Sequence, residues 1–229
     1  MVNTASYAAG QPVAPGSIIS VFGERLAGST PQGASALPLP TRLALAGLNL
    51  GGRDLPLFYA SAGQINAQVP FDATPGSRPQ AYVRVSAGGD SVSVPETLTL
   101  TPVAPGIFQI GVARQGAVTN PQGQLTDTRA PAAAGDTVIV YATGLGLTDL
   151  PVATGEAAPS NPPAKVTVPV QARVGGVAAT VQFAGLAPGF AGLYQINVQI
   201  PAGVTPGPAV ELTLIQTGVS SNTVTIALR

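Results

Sequence analysis

Two stretches of this chain, Gln64-Ile65-Asn66-Ala67-Gln68-Val69-Pro70 and Gln195-Ile196-Asn197-Val198-Gln199-Ile200-Pro201, repeat one pattern 131 residues apart. Each is followed at the same distance by Pro-Gly, Pro75-Gly76 and Pro206-Gly207. Upstream, Pro15-Gly16-Ser17-Ile18-Ile19-Ser20-Val21-Phe22 aligns with Ala134-Gly135-Asp136-Thr137-Val138-Ile139-Val140-Tyr141, and Leu26 with Leu145, at an offset of 119. A duplicated unit whose second copy carries small insertions accounts for both offsets. Units of roughly 100 to 125 residues are each large enough for a core of their own. The repeat therefore divides the chain into a first unit over 1–103, a connector over 104–133 and a second unit over 134–229.

Period-two alternation dominates both copies. Tyr194, Ile196, Val198 and Ile200 share one face while Gln195, Asn197 and Gln199 share the other, the pattern of a half-buried strand. Val210, Leu212 and Leu214, then Val224, Ile226 and Leu228, read the same way, as do Ala81, Val83, Val85 and Leu98, Leu100 in the first copy. Ile18 to Phe22 and Val138 to Tyr141 are apolar on both faces and rich in β-branched residues, which marks central strands. No helical stripe survives between the Gly and Pro breaks. Short strands with Gly/Pro punctuation predict an all-β chain of two sandwiches with little helix. In the connector, Phe108 and Ile110 are too apolar for a free linker, so it is expected to pack on the domains; Pro151 to Pro163 reads as a mobile loop.

Only 9% of residues are charged, against about a quarter in ordinary soluble domains, and 10 basic groups balance 10 acidic ones. No basic stripe is left to drive nucleic-acid binding or attraction to anionic membranes. Cysteine is absent, so disulfides and thiolate chemistry are absent with it. The first residues lack the basic segment and apolar core of a signal peptide, and no apolar run approaches the roughly 18 residues of a membrane helix, so no membrane insertion is expected.

Several motifs resemble those of the uncharacterised C-terminal domain found repeatedly in large secreted proteins of Solibacter and related acidobacteria. They are Asn3-Thr4-Ala5-Ser6-Tyr7, Ala14-Pro15-Gly16-Ser17 running on to Gly23, Ala104-Pro105-Gly106-Ile107-Phe108, Tyr141-Ala142-Thr143-Gly144-Leu145-Gly146, Ala184-Gly185-Leu186-Ala187-Pro188-Gly189-Phe190, Gly192-Leu193-Tyr194, and the tail Ser220-Ser221-Asn222. Each half also resembles the Ig-like fold of IPT/TIG modules, with a Gly-Gly turn such as Gly175-Gly176. The resemblance implies two tandem Ig-like β-sandwich domains, export or a cell-surface location, and a non-catalytic role. It implies no activity, cofactor or catalytic residue.

The absence of histidine removes the usual general base, and with cysteine also missing, triads and zinc sites are excluded. Ser160 and Lys165 could form a dyad, but Lys165 beside Asn161-Pro162-Pro163 reads as a solvated loop residue. Carboxylates for a hydrolase would have to come from Glu24, Glu96, Glu156 and Glu211, and no spacing singles out a pair. The aspartates show no calcium-loop pattern, so no metal and no cofactor is expected. Sharper candidates are the amide rows Gln64, Asn66, Gln68 and Gln195, Asn197, Gln199, whose groups stand about 7 Å apart along a strand. Such rows either bind glycan hydroxyls or another backbone, or act as internal braces. Aromatic platforms are not evident, because Tyr7, Tyr59, Tyr82, Tyr141 and Tyr194 are scattered and read as core or corner residues. The expected function is a spacer, adhesion or assembly module of a secreted protein, the latter by self-association through sheet edges poor in lysine. The alternatives are a carbohydrate- or envelope-polymer-binding module and a hydrolase acting through carboxylates or Ser.

Overall fold

Period-two patterning becomes strand in the computed structural model, which describes residues 1–86, 89, 91–111 and 114–229 and contains no helix among them. One segment departs from this: Leu98 and Leu100 are buried as expected, yet only a single bridge, Val13 to Leu100, forms there. The physical reason is Pro79. Leu98 donates to its carbonyl at 3.0 Å, and proline has no N–H to return the bond.

In the first half the strands are β1 (Val2–Asn3), β2 (Ile18–Phe22), β3 (Gln32–Gly33), β4 (Ala46–Leu50), β5 (Arg53–Asp54), β6 (Leu57–Ala60), β7 (Gln64–Gln68), β8 (Gln80–Val85), β9 (Ser91–Val92) and β10 (Glu96–Thr97). The connector adds β11 (Gly106–Ile107), β12 (Gln109–Ile110), β13 (Gln115–Gly116) and β14 (Val118–Thr119). The second half holds β15 (Thr137–Thr143), β16 (Gln171–Val174), β17 (Val177–Leu186), β18 (Tyr194–Gln199), β19 (Gly207–Gln216), β20 (Val219–Ser220) and β21 (Val224–Leu228). Sheet β1-β2-β7-β6-β3 faces sheet β10-β8-β4-β5, and between them Ile19, Leu57 and Ile65 meet Leu48, Ala81 and Val83 in one buried cluster. A second cluster, built on Val138, Val140, Ile196, Leu212, Leu214 and Ile226, fills the other half.

The ladders of the two halves correspond strand by strand. β2 on β7, β6 on β7, β4 on β5, β4 on β8, and β8 with β9 and β10 reappear as β15 on β18, β17 on β18, β16 on β17, β16 on β19, and β19 with β20 and β21, all antiparallel. Register matches too: Phe22 opposes Gln64 and Tyr141 opposes Gln195, while the bulge between Leu57 and Tyr59 recurs between Val181 and Phe183. One difference has a plain cause. Gln68 donates to the Pro56 carbonyl at 2.9 Å where Gln199 pairs with Thr180; the missing proline N–H splits β5 from β6, whereas β17 runs unbroken and joins its sheets into one of 11 strands.

The connector packs, though not through the residues that pointed to it. Ile110 is 50% exposed and Phe108 half-buried, while Ile107, Val118 and Ala132 enter the second cluster. Asn222 fixes Ile107 from both sides, accepting its N–H at 2.8 Å and donating to its carbonyl at 3.0 Å. The segment 151–163, expected to be mobile, is tied down: Gly155 and Ala158 are buried, and Thr154 and Gly155 bond to the first half. Tyr194 is fully buried as expected, its hydroxyl donating to the Gly146 carbonyl, and burial pushes that hydroxyl's pKa up. Removing it in Tyr194→Phe strands a buried carbonyl and should lower stability by about 1–3 kcal/mol in a urea titration. Tyr7, by contrast, is on the surface.

Candidate functional site

Strand β7 carries Ile65 and Ala67 into the core and therefore turns Gln64 and Asn66 outward; β18 does the same with Ile196, Val198 and the amides Gln195, Asn197 and Gln199. All of the outward amides are half-buried. Gln64 Nε2 donates to Asn66 Oδ1 at 2.8 Å, and Gln195 Nε2 donates to Asn197 Oδ1 at 2.9 Å, so the same amide chain is built twice. In the first half Ser20 Oγ also donates to Asn66 Oδ1 at 2.9 Å and lies 2.9 Å from the Thr4 hydroxyl.

Gln68 and Gln199, equivalent in sequence, do different things. Gln199 Nε2 donates to the carbonyl of Gly135 at 3.2 Å within its own half. Gln68 is wholly buried where the halves meet, and its Oε1 accepts the Gly155 N–H at 2.7 Å. That acceptor fixes which end of the amide is which. Its Nε2 has no partner and faces Gly192, where a β-carbon would come within 2.8 Å of it. Gln68 is thus a brace with no surface to offer a ligand.

More bonds cross the same junction. The Ile18 N–H donates to Thr143 Oγ1 at 2.9 Å, and that hydroxyl donates to the Gly192 carbonyl at 3.2 Å. The Phe71 N–H donates to Thr154 Oγ1 at 3.1 Å, and Leu39 donates to the Gly155 carbonyl at 2.8 Å. Beside it opens a cleft of about 690 Å³ lined by Pro56, Phe71, Leu147 and Val152. Its rim holds an exposed Arg53–Asp72 ion pair at 2.5 Å, in which the Arg53 hydrogen bond lowers the Asp72 carboxyl pKa.

No protein-family model and no curated protein matches the chain. Among solved structures it is similar to the surface glycan-binding protein PbSGBP-B of Prevotella bryantii, at 12% identity over 92% of this chain and 36% of that one, with a TM-score of 0.29. A second is SGBP-B of the Bacteroides ovatus mixed-linkage glucan utilization locus, in complex with a mixed-linkage heptasaccharide, at 11% identity over 95% of this chain and 44% of that one, TM-score 0.35. A third is the I9–I11 tandem from titin, at 12% identity over 95% and 62%, TM-score 0.25. The chain spans less than half the length of the first two.

Residues absent from the sequence candidates stand beside the amides. Phe22 opposes Gln64 and Tyr59 opposes Asn66; Tyr141 opposes Gln195 and Phe183 opposes Asn197. The rings are scattered in sequence and meet only through strand register. The residues weighed for hydrolysis do not assemble in this way. Glu24, Glu96, Glu156 and Glu211 are exposed on separate segments, with Glu96 bonded to the Met1 amino group at 2.9 Å and Glu211 3.8 Å from Arg114. Ser160 and Lys165 are both exposed. Among the described residues no cluster of three potential metal ligands occurs, and no helix is long and apolar enough to cross a membrane. At the β9 edge Val92 and Val94 stand exposed, the apolar edge that self-association would use.

Proposed function

We propose that this chain is a non-catalytic, exported module of two tandem Ig-like β-sandwich domains, 1–103 and 134–229, made by internal duplication and locked by the 104–133 connector into a rigid spacer of a larger secreted or surface protein. The observation that carries this reading is the buried junction. Gln68, Thr143, Phe71 and Leu39 each join a first-half group to a second-half group. A flexible tether would leave such groups to water; mutually bonded, with Gln68 and Thr143 buried and the Phe71–Thr154 bond partly so, they hold one geometry. Matching ladders and bulges in the two halves support the duplication. A surface with few charges, and the family resemblance drawn from the motifs, support export and a structural role.

Rigidity is directly measurable. Backbone 15N relaxation should give both halves one common tumbling time, that of a single 22.7 kDa body. Separate tumbling times for the halves would overturn the spacer reading.

A further inference from the structure

The outward faces of β2-β7-β6 and β15-β18-β17 carry one constellation twice: an amide chain with an aromatic ring on either side. Directly opposed residues on adjacent strands hold their β-carbons about 4.5–5.5 Å apart, so Gln64 and Asn66 lie in the strip between Phe22 and Tyr59, as Gln195 and Asn197 do between Tyr141 and Phe183. In each copy the glutamine-to-asparagine bond uses one donor and one acceptor. The glutamine Oε1 and the asparagine Nδ2 have no protein partner among the described residues, an acceptor beside a donor on a half-exposed face.

The first copy has one more ring. Tyr7 and Phe22 are each 53% exposed, with ring centroids 6.2 Å apart and planes tilted by 37°. Tyr7 sits there at a cost, since its φ of 53° lies in the left-handed region, worth about 1–2 kcal/mol against an L residue. Asn3 maintains the turn, its carbonyl accepting the Tyr7 N–H at 2.9 Å and its side-chain oxygen the Ala5 N–H at 2.9 Å. The side chain of Asn3 is itself tied to the Ala104 carbonyl at 3.2 Å. A strained backbone that is held in place to present an exposed ring is a feature of binding sites.

We propose that the face formed by Tyr7, Phe22, Tyr59, Gln64 and Asn66 binds a neutral polysaccharide chain, and that Tyr141, Phe183, Gln195 and Asn197 form a second, weaker site of the same kind. The apolar C–H face of a pyranose ring is attracted to the negative face of an aromatic ring, while its hydroxyls each donate and accept, matching the free amide oxygen and nitrogen. No charged side chain occupies these cross-strand positions, so nothing there recognises a uronate or sulfate. Two sites on one rigid body add avidity on a long polymer that neither has alone.

The test is affinity electrophoresis of the full chain in native gels containing hydroxyethylcellulose, galactomannan or arabinoxylan, with polygalacturonate as the charged control. At least one neutral polymer should retard the chain, and polygalacturonate should not. Phe22→Ala and Tyr7→Ala should each weaken retardation about threefold to tenfold. Gln64→Glu removes the amide donor to Asn66 Oδ1 and adds a charge, so it should weaken retardation as well, with circular dichroism checking that the fold is kept. Retardation by none of the neutral polymers, or equal retardation of the chain and all three variants, would overturn the proposal. Either failure leaves the common tumbling of the two halves untouched, so binding and rigidity stand or fall separately.

Discussion

Gly144→Ala should destabilise the protein by about 3–5 kcal/mol, the range reserved for substitutions that break a specific backbone arrangement. Two independent effects add at this position. The φ of 81° puts Gly144 in the left-handed region, where an added side chain costs about 1–2 kcal/mol. The new β-carbon would also overlap the carbonyl oxygen of Ala104, and neither atom can rotate away, because the oxygen belongs to the backbone and the backbone fixes where a β-carbon stands. That carbonyl accepts the Asn3 amide, and the Ala104 N–H donates to the Gly144 carbonyl at 2.8 Å, so the displacement reaches the connector and the N-terminal turn together. For a chain of this length about 2–4 °C are lost per kcal/mol, so calorimetry should record a fall of roughly 6–20 °C. Gly176→Ala is the control. Its φ of 79° carries the same conformational strain, but nothing lies within 4 Å of the added carbon. It should cost only about 1–2 kcal/mol, and equal effects at the two glycines would show that the Ala104 contact contributes nothing.

The repeated Gln-x-Asn-x-Gln segments revealed β7 and β18 and their buried faces, because alternation of side chains is a local property of a strand. The ring-flanked amides were not legible in the same way. Phe22, Tyr59, Tyr141 and Phe183 share no spacing with the amides, and a cross-strand neighbour is defined only once register is set by turns, bulges and core packing. Identity of letters also misled at one place: Gln68 and Gln199 are equivalent in the repeat, but only the β7 end abuts another half, which turns a surface amide into a buried brace. The proline-rich segment 151–163 misled in the opposite direction. Its composition reads as loop, and it is one, yet Thr154 and Gly155 supply the groups that the first half needs at the junction. Composition reports the absence of regular structure, not the absence of tertiary bonds.

Thr143→Val should be the most damaging near-isosteric change at the junction. One hydroxyl, wholly buried, accepts from Ile18 of the first half and donates to Gly192 of the second. Valine replaces it with a methyl group of similar volume, so packing is kept while a backbone N–H and a backbone carbonyl both lose a partner. Each buried orphan costs about 1–3 kcal/mol, giving roughly 2–6 kcal/mol together. Because one orphan belongs to each half, the loss has a distinctive signature. If the junction couples the halves, heating the parent chain should give one transition, and Thr143→Val should split it into two as the coupling weakens. A single transition shifted down without splitting would assign the hydroxyl to the second half's own stability. A shift below about 0.5 kcal/mol, the range of ordinary surface changes, would mean that water replaces both bonds and that the Thr143 hydroxyl adds nothing to the coupling of the halves.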